Sequence, residues 1–158
     1  MNREERNQRL AFLIEERKIH DKKVVRERQI IEILELFPKK DSVEILDESE
    51  SDQIEESMTN CFPIAFWGRI DWEKVDHKII LTTEDLWDIP SILSTRFDTS
   101  VPVYLMAGIS PVIKVSLFSI LESMEGIMDM GPDQWVYSPS LKYVIEFCHD
   151  GVITIGWI

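Results

Sequence analysis

The closing stretch QWVYSPSLKYVIEFCHDGVITIGWI, from Gln134 to Ile158, constrains the fold more than any other part of the chain. Tyr143, Ile145 and Phe147 alternate with Lys142, Val144, Glu146 and Cys148. A period of two, rich in β-branched and aromatic residues, predicts a strand with one buried face. Asp150-Gly151 supplies the pair favoured in tight two-residue hairpin turns. Beyond it, Ile153, Ile155 and Trp157 share one side of a second strand over Val152–Ile158. Upstream, Trp135-Val136-Tyr137 reads as a third strand, closed by a Ser138-Pro139-Ser140 turn. Three strands joined by short turns make an antiparallel meander.

The same stretch carries Cys148, His149 and Asp150 in a row. Neighbours on a strand point to opposite faces, so Cys148 and His149 are not expected to meet without a bulge. A Cys-His catalytic pair must lie within hydrogen-bond reach. The expectation is therefore an apolar thiol followed by a histidine that leads into a turn.

At 158 residues with 44% hydrophobic content, the chain has the size and composition of one folded domain. No apolar run reaches the roughly 18 residues of a membrane span, and MNREERNQRL lacks the apolar core of a secretory signal. Cys61 and Cys148 lie far apart with no metal-ligand spacing, which favours free thiols in a reducing cytoplasm. The net charge of −12 is uneven: residues 1–40 carry 11 Lys+Arg against 8 Asp+Glu, whereas the rest carry 6 against 21. Such a field repels nucleic acid and membrane surfaces and attracts basic partners; it also keeps a protein soluble.

Asn2–Phe37 contains no Gly or Pro and is rich in Glu, Arg, Lys, Leu and Ile, so it reads as helix up to Pro38. Leu10, Leu13 and Ile14 make one apolar stripe, and Val24, Ile31 and Leu34 another, with Phe37 near its end. The polar IEERKIHDKK between them leaves open one long helix or two with a break near His20-Asp21. Its interleaved charges suit a solvated or dimerising helix better than a nucleic-acid arm.

Asp41–Glu56 contains eight acids and no Lys or Arg. Val43, Ile45 and Leu46 suggest a short strand, and Ser49 or Ser51 a cap for a helix toward Asn60. The run lacks the central Gly and ligand ladder of a calcium loop. It reads either as a solvated acidic segment or as a docking surface for a basic protein, using Asp47, Glu48, Glu50, Asp52, Glu55 and Glu56. Next, CFPIAFWGRIDW suggests core strand plus turn, with Trp67 and Trp72 as candidate interface anchors because tryptophan is enriched at hot spots.

Ile79-Ile80-Leu81 reads as a strand. Thr82-Thr83-Glu84-Asp85 reads as a helix start, restarted or kinked at Pro90. Val101–Met106 reads as a strand with Pro102 at its entry. Gly108-Ile109-Ser110-Pro111 turns the chain. Val112–Val115 then continues as strand before a helix capped by Ser116; in the alternative, Pro111 opens the helix after a Ser110 cap. Gly126 ends this element, and Ile127-Met128-Asp129 suggests a short strand.

His20, His77 and His149 fall in three segments, and no HxxxH, HExxH or CxxC spacing occurs. Phosphate-binding glycine loops and the GxSxG elbow are also missing. With 29 acids present, paired carboxylates carry no information. No catalytic, cofactor-binding or metal site is expected. An enzyme using His149 with a carboxylate is the weakest of the readings.

Taken together, PVIKVSLFSILESMEGIMDM, then Trp135, then Ile145-Glu146-Phe147 with His149-Asp150-Gly151 and the closing Ile155-Gly156 resemble the C-terminal half of bacterial immunity-type proteins. These are the antidotes of contact-dependent and other polymorphic toxin systems. The resemblance covers roughly the last 50 residues. It implies an α+β protein that binds and blocks a cognate toxin without catalysis; the acidity would suit a basic nuclease toxin.

The expected architecture is a single domain over residues 1–158, with a helical element over 1–37 and an α+β body over 41–158. The body is expected to hold an antiparallel sheet of about five or six strands with helices on one face. The expected function is cytoplasmic toxin neutralisation by direct binding, with no cofactor, nucleic acid or membrane partner. The alternative is a scaffold protein forming a homodimer through the N-terminal helix.

Overall fold

In the computed structural model, residues 2–39, 42–108 and 111–158 are described. Asp41 of the acidic run, and Ile109 and Ser110 of the expected turn, lie outside them.

Helix α1 runs unbroken over Arg3–Leu36, which settles the choice between one helix and two. Asn2 caps it: its side chain accepts from the Glu5 amide at 2.8 Å, and the Glu5 carboxylate accepts from the Asn2 amide at 2.9 Å. Every residue from Asn2 to Val25 is exposed. Polar contacts with the body begin at Lys22, which pairs with Glu48 at 3.1 Å, and Arg26, which donates to the Leu46 carbonyl at 2.8 Å; the buried apolar contacts are Ile33 and, just past the helix, Phe37. The first stripe, Leu10, Leu13 and Ile14, faces solvent, as do Val24 and Ile31 of the second; the end of the second stripe, half-buried Leu34 and buried Phe37, is the part that turns toward the body.

The body is one antiparallel sheet of seven strands, ordered β1-β4-β3-β5-β6-β7-β2. The strands are β1 (Glu44–Ile45), β2 (His77–Thr82), β3 (Val103–Ala107), β4 (Ile113–Val115), β5 (Asp133–Ser138), β6 (Tyr143–Cys148) and β7 (Val152–Trp157). The helices are α2 (Glu48–Cys61), α3 (Ile89–Ser94), α4 (Leu117–Glu122) and α5 (Met124–Met128), with 3₁₀ turns at Trp72–Lys74 and Thr83–Asp88. The α+β class, the antiparallel sheet and the N-terminal helical element are as expected. The strand count is seven, because β1 and β2 extend the sheet at its two edges.

Helices cover both faces of this sheet instead of one. On the first face, Ile89 and Leu93 of α3, Ile120 of α4 and Ile127 of α5 pack over Leu105, Ile145 and Ile155. On the second, Met58 of α2 with Phe62, Ile70 and Val75 packs over Met106, Tyr137 and Val144. All six residues of β6 are buried, so its two parities serve two cores. That corrects the one-sided reading of this strand; Val144 and Cys148, apolar on the supposedly outward side, were the signal.

Local departures have local causes. Asp47, rather than Ser49 or Ser51, caps α2, in a box with Glu50. Ser116 caps α4 after a true strand, as the strand-then-helix alternative required. Ile127 and Met128 belong to helix α5 instead of a strand, and Gly126 lies inside it where a Cβ would crowd the Leu36 side chain. The β6–β7 loop has three residues, with Gly151 at φ +86° and its amide donating to the Cys148 carbonyl at 3.0 Å. A turn followed by a left-handed glycine is the usual three-residue hairpin. Among the described residues, no helix is long and apolar enough to cross a membrane.

Candidate functional site

The acidic run and the aromatic stretch lie on the second face, where α2 leads into a short protrusion. Helix α2 turns Ile54, Met58 and the buried Ser51 inward, and Ser51 Oγ accepts from the Val112 amide at 3.3 Å. Its 3.6-residue period then sends Glu48, Asp52, Glu55 and Glu56 to solvent. Glu48 meets Lys22 of α1 at 3.1 Å, and Asp47 and Glu50 are engaged in the helix cap. Among the described residues, Asp52, Glu55 and Glu56 make no ion pair. Burial, and then the neighbouring Asp52 carboxylate, push the Glu55 carboxyl up from its ordinary range. The fold therefore holds negative charge together here at a cost.

After α2 the chain makes a narrow loop. Ile64 and Ile70 form an antiparallel bridge, and the Ala65 amide donates to the Arg69 carbonyl at 2.7 Å. The Gly68 amide donates to the Ala65 carbonyl at 2.9 Å, with Gly68 at φ +88°. Only glycine adopts that conformation without strain. The tip so formed projects Phe66 (97% exposed) and Trp67 (61% exposed), their rings edge to face with centroids 4.7 Å apart. Glu55 and Thr59 of α2 border the same pocket as Ile64 and Gly68 of the loop. Glu55 of the acidic helix and the stem of the aromatic loop thus share one surface depression.

A buried polar node holds the loop down. Glu146 of β6, 1% exposed, accepts from Arg69 at 2.6 Å, from the Trp72 indole at 2.9 Å and from the Trp135 indole at 2.8 Å. The Trp72 ring lies against Gly156, where an added Cβ would overlap it. Trp67 projects into solvent at the loop tip, whereas Trp72 faces the sheet and holds the loop. Sequence reasoning missed Phe66, Arg69 and Glu146. The one local hint was Gly68, which marks a tight turn with the preceding aromatics at its tip.

The three histidines remain apart, as their spacing implied. His20 is exposed on α1, His77 stacks on Trp157 with centroids 5.8 Å apart, and His149 lies in the β6–β7 loop. The expectation that Cys148 and His149 would not meet is overturned: Cys148 Sγ lies 3.6 Å from His149 Nδ1. The reason is that β6 ends at Cys148, so His149 follows the turn instead of the strand alternation. Burial pushes the Cys148 thiol up to about 11, which disfavours the thiolate a nucleophile requires.

Among curated proteins, none matches the chain. The family model described as CdiI immunity protein EcoliA0-like matches residues 18–156. That match takes in the sheet, the acidic helix and the aromatic loop, extending well upstream of the closing 50 residues that carried the resemblance. With nearly the whole body matched, the chain belongs to the CdiI immunity protein family of the EcoliA0-like type, the immunity proteins of contact-dependent inhibition.

Proposed function

We propose that this immunity protein neutralises its cognate toxin by direct, non-catalytic binding, with the exposed face of α2 and the Phe66–Trp67 tip as the contact surface. The observation that carries the reading is the juxtaposition of unpaired carboxylates with solvent-facing aromatics on a loop fixed from beneath. Large aromatics supply the buried centre of an interface, and charges around them steer the encounter. The acidity favours a basic toxin domain, a nuclease being one such class, whose substrate-binding surface the acidic face would cover.

The test is protection of toxin-exposed cells together with affinity for the purified toxin domain. Trp67→Ala is expected to weaken binding about 30-fold, the size of a hot-spot truncation near 2 kcal/mol. Phe66→Ala should act in the same direction. Full affinity in both variants would remove the tip from the interface.

A second reading, self-association through α1, is favoured by one observation. Leu10, Phe12, Leu13 and Ile14 are all exposed on a helix whose residues from Arg3 to Val25 are all exposed, and which first pairs with the body at Lys22, with Glu48. An isolated helix is marginal in water, and this one has nearly balanced charge, which suits pairing with a second copy. The family match begins at residue 18, after that stripe. Light scattering on the full chain decides: a dimer that Leu13→Glu dissociates supports the reading, and a monomer at high micromolar concentration ends it.

A further inference from the structure

Asp133 opens β5 and Cys148 closes β6, and the two are directly paired across the ladder. Paired residues share one face of a sheet with their Cβ atoms roughly 5 Å apart. The turn that follows brings His149 over the same point. His149 Nδ1 lies 3.2 Å from Asp133 Oδ1 and 3.6 Å from Cys148 Sγ, and the three ligand atoms all fall within 4.8 Å of one another. One thiol, one imidazole nitrogen and one carboxylate oxygen therefore converge on a small volume at the end of the sheet.

The arrangement distinguishes metal binding from nucleophilic catalysis. In a Cys-His-Asp relay the two ring nitrogens serve different partners, one the nucleophile and the other the carboxylate. Here both partners address the same nitrogen, and one proton on Nδ1 cannot serve both. A tetrahedral zinc ion, with bonds of about 2.3 Å to sulfur and about 2.0–2.2 Å to nitrogen and oxygen, sets sulfur and nitrogen roughly 3.5–3.6 Å apart and nitrogen and oxygen roughly 3.3–3.4 Å apart. The observed sulfur–nitrogen separation of 3.6 Å falls in that range, and the nitrogen–oxygen separation of 3.2 Å lies just below it. Cys148 is buried, Asp133 half-buried and His149 exposed, so the site is closed beneath and open on the histidine side. Arg69, whose charge reaches the cluster, is held by Glu146.

We propose that Asp133, Cys148 and His149 form a three-ligand site for zinc-class divalent cations, with its fourth position open to solvent. The mixed sulfur, nitrogen and oxygen set selects zinc or cobalt over magnesium and calcium, which take oxygen ligands. Ionised, the cysteine and aspartate together balance the dication.

The test is titration of the chelator-stripped full chain with Co²⁺, read by the thiolate-to-cobalt charge-transfer absorption and the visible bands of four-coordinate cobalt. Zn²⁺ should displace the cobalt at one equivalent and raise the melting temperature; Mg²⁺ should do neither. His149→Ala removes an exposed side chain and should weaken binding at least about a hundredfold, more than the loss of an outer-shell partner. Asp133→Asn should weaken it in the same direction, and Cys148→Ser should abolish the charge-transfer band if it folds. Cys61→Ser should leave that band intact. No charge-transfer band in the wild type, or an unchanged affinity in His149→Ala, overturns the site.

Discussion

At the scale of single residues, two buried polar groups on β6 behave oppositely. The Tyr143 hydroxyl is buried and finds no hydrogen-bond partner among the described residues. An unsatisfied buried hydroxyl costs about 1–3 kcal/mol, while the ring itself packs on Phe97 at 4.8 Å between centroids. Tyr143→Phe is therefore expected to leave stability unchanged or raise it by about 1 kcal/mol in urea denaturation; a loss of that size would show a partner. Burial also pushes the Tyr143 hydroxyl up to about 12, against about 10 in an unfolded chain. The unfolded state releases its proton first, so this share of stability is whole below about pH 10 and is lost as pH rises toward 12. The phenylalanine variant should lose stability less steeply over that window. Glu146 is the contrary case, since its carboxylate accepts from Arg69 Nη2 and two indoles at once. Glu146→Ala leaves Arg69 without its partner. Breaking a fully buried pair costs about 3–5 kcal/mol, and because the Arg69 side chain keeps some contact with water, about 2–3 kcal/mol is expected here. Denaturation midpoints that barely move would mean the node contributes little.

At the scale of elements, the legible parts are those whose signals are local. Strands β5, β6 and β7 combine alternation with turn chemistry at Ser138-Pro139 and Asp150-Gly151, and all three form. Ser116 and the Thr82–Asp85 pair announce caps within three residues of the helices they start, and both are used. What could not be read depends on distant partners. Three residues after Gly126 hold too little pattern to tell helix from strand, and the packing of Leu36 against α5 accompanies the helical outcome. The Glu146 node joins residues 74 and 77 positions apart, and a lone glutamate on a strand reads as outward-facing. The Asp133–Cys148 pair is invisible to motif spacing because strand register creates it. The loop at 62–72 shows the same limit, since its aromatics suggested core while its glycine turn expels two of them. One prediction belongs at this scale. Freeing the loop with Glu146→Gln should weaken toxin binding along with Trp67→Ala, and the double variant should lose less than the sum, because both act through the same tip. Strict additivity would separate the node from the interface.

At the scale of the whole molecule, charge is segregated: residues 1–40 carry a net +3, and the remaining 118 a net −15. Interactions between exposed charges fade beyond about 8 Å at physiological ionic strength, so this asymmetry acts mainly on the rate of encounter. The proposed binding mode then requires toxin association to slow at least about tenfold from low to high salt, with dissociation nearly constant. The charges to neutralise are Asp52, Glu55 and Glu56. Changing Asp47 or Glu50 would also remove the α2 cap, and Glu48 already meets Lys22. Glu55 makes the triple variant informative twice over. Its carboxyl is raised by burial and by Asp52, so the folded state holds that proton more tightly than the unfolded chain does. Stability therefore falls as pH rises through and above the ordinary glutamate range, and removing the charge should not destabilise the fold. Asp52→Asn/Glu55→Gln/Glu56→Gln should accordingly melt no lower than wild type at neutral pH while associating with toxin more slowly and with less salt dependence. A variant that binds as fast as wild type at low salt would show that these carboxylates face away from the toxin. A variant that melts lower would show that they support the helix instead of waiting for a cationic partner.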